Sequence, residues 1–278
     1  MRIDAHHHLW RYDAAEFDWI DDRMAAIRRD FLPETFAPVL QSANLDGCVA
    51  VQARQSVAET EFLLETARHH RRVRGVVGWA PLADPGVGAL LDHWAGDALF
   101  KGVRHVVQGE TDPAFLERPA FNAGLREVTA RGLSYDLLIR AHQLPAAIAF
   151  VDRHPAQRFV LDHAGKPCAA GRPPAEWCRW INELARRPHV SCKFSGLVTE
   201  VPGWTWTEDL LQPYFDTVLA AFGPRRVMFG SDWPVCLVAT DYRRWADACA
   251  RFTSTLAADE QSAFWGDNAV AFYRLQPC

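Results

Sequence analysis

The chain has 278 residues, 49% hydrophobic and 23% charged, with a formal net charge of −4. That length and apolar content suit one large α/β domain with a full core, expected over residues 1–278, and the slightly acidic balance with no basic stripe argues against nucleic acid as a partner. The N-terminus has no apolar signal-peptide core and no apolar run approaches membrane-spanning length, so a cytoplasmic protein without a membrane partner is expected.

The first strand opens at Arg2-Ile3-Asp4-Ala5 and runs into His6-His7-His8, followed by a polar, aromatic loop through Trp10, Tyr12 and Trp19. Gly47 to Gln52 reads as strand two, and Ser56-x-x-Glu59 as a capping box opening a helix through Phe62, Leu63 and Ala67. Val73 to Trp79 is strand three, ended by Pro81, and Phe100 to His105 is strand four. Pro119 opens a helix with Phe121, Leu125 and Val128 on one face, and Gly132 ends it. Leu133 to Ile139 is strand five; Leu144, Ile148 and Val151 form a helical stripe stopped by Pro155. Phe159 to Leu161 is strand six, running into Asp162-His163-Ala-Gly165, and a helix around Trp177 and Leu184 follows. His189 to Phe194 is strand seven; Thr205-x-x-Glu208 reads as another capping box before a helix through Leu211, Phe215 and Leu219. Val227 to Phe229 is strand eight, ending at Gly230-Ser231-Asp232, and Tyr242 to Phe272 reads as helical.

Short apolar strands alternating with amphipathic helices, with no break in composition, predict a (β/α)₈ barrel of the TIM type; a doubly wound open sheet is the alternative. Polar clusters follow most of the strands, and a barrel gathers all its strand ends around one mouth. His6 and His8 face the same side of strand one and His7 the other. Such a pair binds a divalent metal or hydrogen-bonds a substrate oxygen, unless the triple His is a solvated loop or a tag remnant. His163 and Asp232 at two further strand tips join them at one mouth. Around these four lie Gln52, Arg54, Trp79, Arg104, His105, Asp136 and Lys193, donors and acceptors suited to an oxygen-rich ligand, with Trp10, Trp204 and Trp206 as candidate pocket walls. Seven scattered cysteines with no C-x-x-C read as reduced thiols; Cys236 alone lies near the expected site as a candidate nucleophile, and Cys278 near none.

Asp4-Ala-His6-His-His8, Leu161-Asp-His163-Ala-Gly-Lys-Pro167, Cys192-Lys-Phe-Ser-Gly-Leu197 and Phe229-Gly-Ser-Asp232-Trp-Pro-Val-Cys236 together resemble the amidohydrolase superfamily. More narrowly they resemble its sugar-lactone hydrolase branch, the L-fuconolactonase type, related to the 2-pyrone-4,6-dicarboxylate lactonases. The resemblance implies a distorted barrel and a place in fucose catabolism. It implies that His6, His8 and His163 surround the carbonyl oxygen of an L-fuconolactone-like aldonolactone, with Asp232 as general base. Many superfamily members hold a divalent ion with further His ligands. Here strand five ends without a His, His142 comes later, and strand four ends in Arg104-His105 rather than Lys or Glu. No cofactor is therefore expected to be required, although His6, His8, His163 and Asp232 make an N/O set that suits zinc.

The expected reaction is hydrolysis of a small-molecule sugar lactone to the aldonic acid. Asp232 takes a proton from water, the imidazoles hydrogen-bond the oxyanion, and Lys193 or Arg104 adds positive charge. The alternatives are a metal-dependent decarboxylase of the same superfamily and a non-catalytic barrel that binds a sugar acid.

Overall fold

Eight strands form one sheet in sequential order: β1 (Ile3–His7), β2 (Gly47–Val51), β3 (Val73–Gly78), β4 (Phe100–Val106), β5 (Ser134–Leu138), β6 (Arg158–Leu161), β7 (Val190–Phe194) and β8 (Val227–Phe229). The computed structural model describes residues 1–276, so Cys278 lies outside the described residues. Every neighbouring pair is parallel. The sheet curls until β1 meets β8, where a bridge between His7 and Trp233 joins the ends. Two backbone bonds stitch that seam, His8 N–H to Trp233 O at 2.6 Å and Asp232 N–H to His6 O at 2.8 Å. The result is the expected (β/α)₈ barrel, distorted by register shifts in β1, β2 and β3.

Helices α1 (Pro33–Ser42), α2 (Val57–His69), α3 (Val87–Ala95), α4 (Pro119–Ala130), α5 (Leu144–Arg153), α6 (Ala175–Ala185), α7 (Glu208–Phe222) and α8 (Tyr242–Phe252) cover the outside. Alternation along the strands sorts two cores. Cys48, Val103, Leu137, Leu161 and Phe194 face the helices, whereas Val49, Val51, Val77, Val160 and Met228 fill the barrel interior. Among the described residues, no helix is long and apolar enough to cross a membrane.

Local signals mostly hold. The Ser56 hydroxyl caps α2 by accepting from Glu59 N–H, Pro119 begins α4, and Gly132 follows it at φ +64°. Two expectations are corrected. The cap of α7 is Thr207, accepting from Leu210 N–H, because the chain still turns through Gly203 and Trp204 when it reaches Thr205. The helix expected from Tyr242 to Phe272 breaks after Phe252 into α9 (Ala258–Ser262), a π-turn (Ala263–Asp267) and α10 (Asn268–Tyr273). That break turns the chain under the barrel, where Ala269, Tyr273 and Leu275 join the interior core.

Candidate active site

The four expected residues meet at the C-terminal mouth. Nε2 of His8, His6 and His163 lie 3.2, 3.7 and 3.9 Å from a single atom, Asp232 Oδ1. All four side chains are buried, with relative exposures of 0–4%. Their aim is set locally. Ile3 and Ala5 point into the barrel and Asp4 points out to Tyr242 on α8, so strict alternation would turn His6 outward too. The register shift between Asp4 and His7 re-aims β1, putting His6 and His8 inside while His7 stacks on Phe36 and donates to Val49 O. His163 and Asp232 both sit at positive φ, +53° and +58°, which bends the chain sharply at the tips of β6 and β8.

Burial pushes His163 down to about 4 and His6 well below its ordinary value, outweighing nearby carboxylates, so both are neutral at pH 7. For Asp232 burial works toward a higher value, but His163, the hydrogen bond with His8, and His6 overcome it and hold the carboxyl below its ordinary range. The site thus pairs an ionised carboxylate with neutral imidazoles.

Beneath His6 lies a charged layer that links four strands. Arg104 donates to Asp162 Oδ2 at 3.0 Å and to Gln52 O and stands 3.2 Å from His6 Nε2, while Gln52 Nε2 donates back to Arg104 O at 3.2 Å. Lys193 reaches Asp136 Oδ2 at 2.5 Å and Asp162 Oδ1 at 3.0 Å, and Tyr273 on α10 donates to the same Asp136 oxygen at 2.8 Å. Lys193, Asp136 and Gln52 are fully buried and lie outside the cavity lining, so their expected direct contact with substrate is replaced by a place under the imidazoles. Trp79 and His105 also stand aside: Trp79 Nε1–H donates to His105 Nδ1 at 3.3 Å, and His105 donates to Glu110 at 2.7 Å.

Above the imidazoles opens a cavity of about 1050 Å³ that reaches His8, Arg54, Arg104, His163 and Asp232. Arg54 is braced there by Glu59 and Glu16. Of the expected aromatic walls only Trp204 lines it; Trp10 and Trp206 are buried, donating to Arg29 O and Ala239 O. Cys236 is buried and its thiol is pushed well up by burial, which removes it as a nucleophile. Residues not singled out beforehand include Asp162 in the charged layer and Trp19, Arg140, His142 and Lys166 on the cavity wall. Asp162 had a readable signal: strand residues Arg104 and Lys193 are cations, and buried cations demand a carboxylate.

The donor set fits a divalent ion. His6, His8 and Asp232 offer ligand atoms within 4.8 Å of one another, as do His6, Asp162 and His163. Val51 O accepts from His8 Nδ1 at 2.7 Å, which fixes that proton and leaves Nε2 facing Asp232 Oδ1 at 3.2 Å, a gap that a second ring proton or a cation fills.

The sequence pattern of the amidohydrolase family matches residues 3–275. A Burkholderia multivorans protein named L-fucono-1,5-lactonase is 43% identical over 99% of this chain and 96% of its own length. A second protein of that name, from Burkholderia ambifaria, is 36% identical over the same shares. The crystal structure of a Burkholderia multivorans amidohydrolase with bound zinc superposes with a TM-score of 0.96, at 42% identity over 99% of this chain and all of that one. This chain belongs to the amidohydrolase family.

Proposed function

We propose that the protein hydrolyses a sugar lactone of the L-fucono-1,5-lactone type to the open aldonic acid. The observation that carries the reading is the convergence of three imidazole Nε2 atoms within 3.2–3.9 Å of one carboxylate oxygen at a cavity floor. Its substrate class is supported by the 43% identity, over nearly the whole chain, to a protein named for that lactone.

The lactone carbonyl oxygen lies against His163, which lines the cavity with buried His6 behind it, and a water stands beside Asp232. As water attacks, ionised Asp232 takes its proton, and the tetrahedral oxyanion is met by the His163 N–H. Arg104, whose guanidinium is 3.2 Å from His6 Nε2, adds a permanent positive charge at that face. Of the two cations expected in this supporting role, Lys193 and Arg104, it is the one that lines the cavity. Collapse breaks the ring C–O bond, and Asp232 returns its proton to the departing ring oxygen. His8, tied to Val51 O through Nδ1 and to Asp232 through Nε2, orients the carboxylate rather than serving as an oxyanion donor.

A zinc ion held by His6, His8, His163 and Asp232 would supply Lewis acidity to the carbonyl. The reading makes it dispensable, because Arg104 already brings charge there and β5 ends in Leu138 with no imidazole beside the cluster. The test is acid release, read by a pH indicator, over a panel of 1,4- and 1,5-aldonolactones with and without chelator. Turnover of a 6-deoxy-aldonolactone that survives chelation is expected. Silence across the panel would overturn the function, and loss on chelation restored by zinc would overturn its metal independence.

A further inference from the structure

His6 stands between two pairs of partners that it cannot satisfy together. Its Nδ1 is 3.1 Å from Lys193 Nζ and 3.3 Å from Asp162 Oδ1. Its Nε2 is 3.2 Å from Arg104 Nη1 and 3.7 Å from Asp232 Oδ1. Ammonium and guanidinium groups only donate, ionised carboxylates only accept, and a neutral imidazole carries one N–H. With the proton on Nδ1, His6 donates to Asp162 and accepts from Arg104. With it on Nε2, His6 accepts from Lys193 and aims its N–H at Asp232.

Exposure decides between the two. Lys193 is wholly buried; it hydrogen-bonds Asp136 Oδ2, stands 3.1 Å from His6 Nδ1 and forms an ion pair with Asp162 Oδ1. If His6 Nδ1 carries the proton, the N–H that Lys193 points at it is stranded in the interior, at full desolvation cost. Arg104 lines the cavity, so an N–H that loses His6 Nε2 finds water or substrate oxygen instead. Asp162 keeps Lys193 on one oxygen and Arg104 on the other in either case.

We propose that Lys193 is a positioning residue that selects the Nε2–H tautomer of His6, so that the ring directs an N–H rather than a lone pair at the Asp232 carboxylate. The catalytic consequence rests on the lactonase reading above; the tautomer itself does not. The opposite tautomer leaves a lone pair on Nε2, which ligates a metal and cannot donate. Lys193 therefore tilts the site toward metal-free hydrolysis, and Asp162 tilts it toward metal binding.

The experiment is ring ¹⁵N NMR of metal-free protein labelled at histidine, with His6 identified by its loss in His6→Asn. Wild type is expected to show Nε2 protonated, and Lys193→Met to show Nδ1 protonated. Metal-free kcat on a lactone should fall about 10–100-fold in that variant, with KM changed less than about threefold, and zinc should bind it more tightly by calorimetry. If Lys193→Met does not fold, Lys193→Met with Asp136→Asn removes the stranded carboxylate, and the wild-type spectrum decides in any case. Nδ1–H in wild type, Nε2–H retained in the variant, or zinc affinity falling together with kcat would each overturn the proposal. A wild type inactive on every lactone would overturn the substrate reading alone, leaving the tautomer to be judged from the spectra.

Discussion

Gly196 leaves no room for a side chain beside His163: a Cβ there would lie 2.5 Å from Nδ1 of the imidazole and 3.0 Å from Oδ2 of Asp232. The glycine also sits at φ +66°, where L side chains are strained. Gly196→Ala should therefore push the His163 ring off its partner Ser195 Oγ, now at 2.9 Å. A displacement of this kind is expected to lower kcat/KM on the order of 100-fold. The left-handed backbone adds roughly 1–2 kcal/mol of destabilisation. Kinetics like those of wild type would show that the ring needs no such backing.

A second test separates holding the barrel shut from doing chemistry. Buried Asp4 accepts from Ser231 N–H at 2.9 Å, Ser231 Oγ–H at 2.6 Å, His6 N–H at 3.1 Å and Tyr242 O–H at 3.0 Å, so it clamps the β1–β8 seam and ties it to α8. Tyr242→Phe removes one donor and leaves the other three. Urea unfolding should show a loss of about 1–3 kcal/mol, the cost of a buried acceptor losing a partner. The kcat should stay within about threefold, because His6 keeps its backbone tie to Asp4. A large fall in kcat with unchanged stability would give Tyr242 a role in the site.

The barrel was legible in the sequence because buried parallel strands read as short apolar runs, and eight of them alternate with helical stripes. The four residues at the mouth were legible because each follows such a run. What lay beyond reach was direction. Lys193 and Asp136 read as mouth residues, but alternation in β7 and β5 only says that they face inward, and inward at mid-strand means the charged layer under His6. The shift in β1 that turns His6 inward leaves no mark in Asp4-Ala-His6. Tyr273 was hidden by a different cause. The apolar stripe from Tyr242 onward gives no warning that the chain breaks at Phe252 and returns beneath the barrel, carrying a hydroxyl to Asp136.

Stability should fall with acid between about pH 6.5 and 4. Burial holds His6 well below the ordinary 6.5, His7 at about 3 and His163 at about 4. The unfolded chain therefore binds protons in this window that the folded chain refuses. Stability contributed by these rings is present above pH 6.5 and is lost as pH falls toward their folded values. Asp4 and Asp136 act the other way: burial raises both to about 6 from 3.8, so the folded chain takes up their protons first. His154, lowered to about 4 by burial, and His105 and His189, also lowered by burial, act on the same side as the three rings, so near pH 5 the unfolded chain holds the net excess of protons and stability falls with acid. Asp162 and Asp232, both held low, add to the loss only below about pH 4. Unfolding free energies at pH 7, 6 and 5 check the sign, and a protein as stable at pH 5 as at pH 7 would contradict it.

The base is tested by Asp232→Asn. The amide keeps the shape of the side chain but accepts no proton, so lactone turnover should fall by the general-base contribution, about 10²–10⁴-fold. Folding should survive, since Asp232 sits at the cavity floor and its backbone ties to His6 O and Cys236 N–H are unaffected. Asp232→Asn is also expected to bind zinc more weakly because an anionic ligand is gone, and to lose the stability that the neighbouring imidazoles give the ionised carboxylate. If Asp232→Asn instead keeps its turnover, the proton acceptor lies elsewhere on the cavity floor, and His8, whose Nε2 faces the same space, is the residue to substitute next.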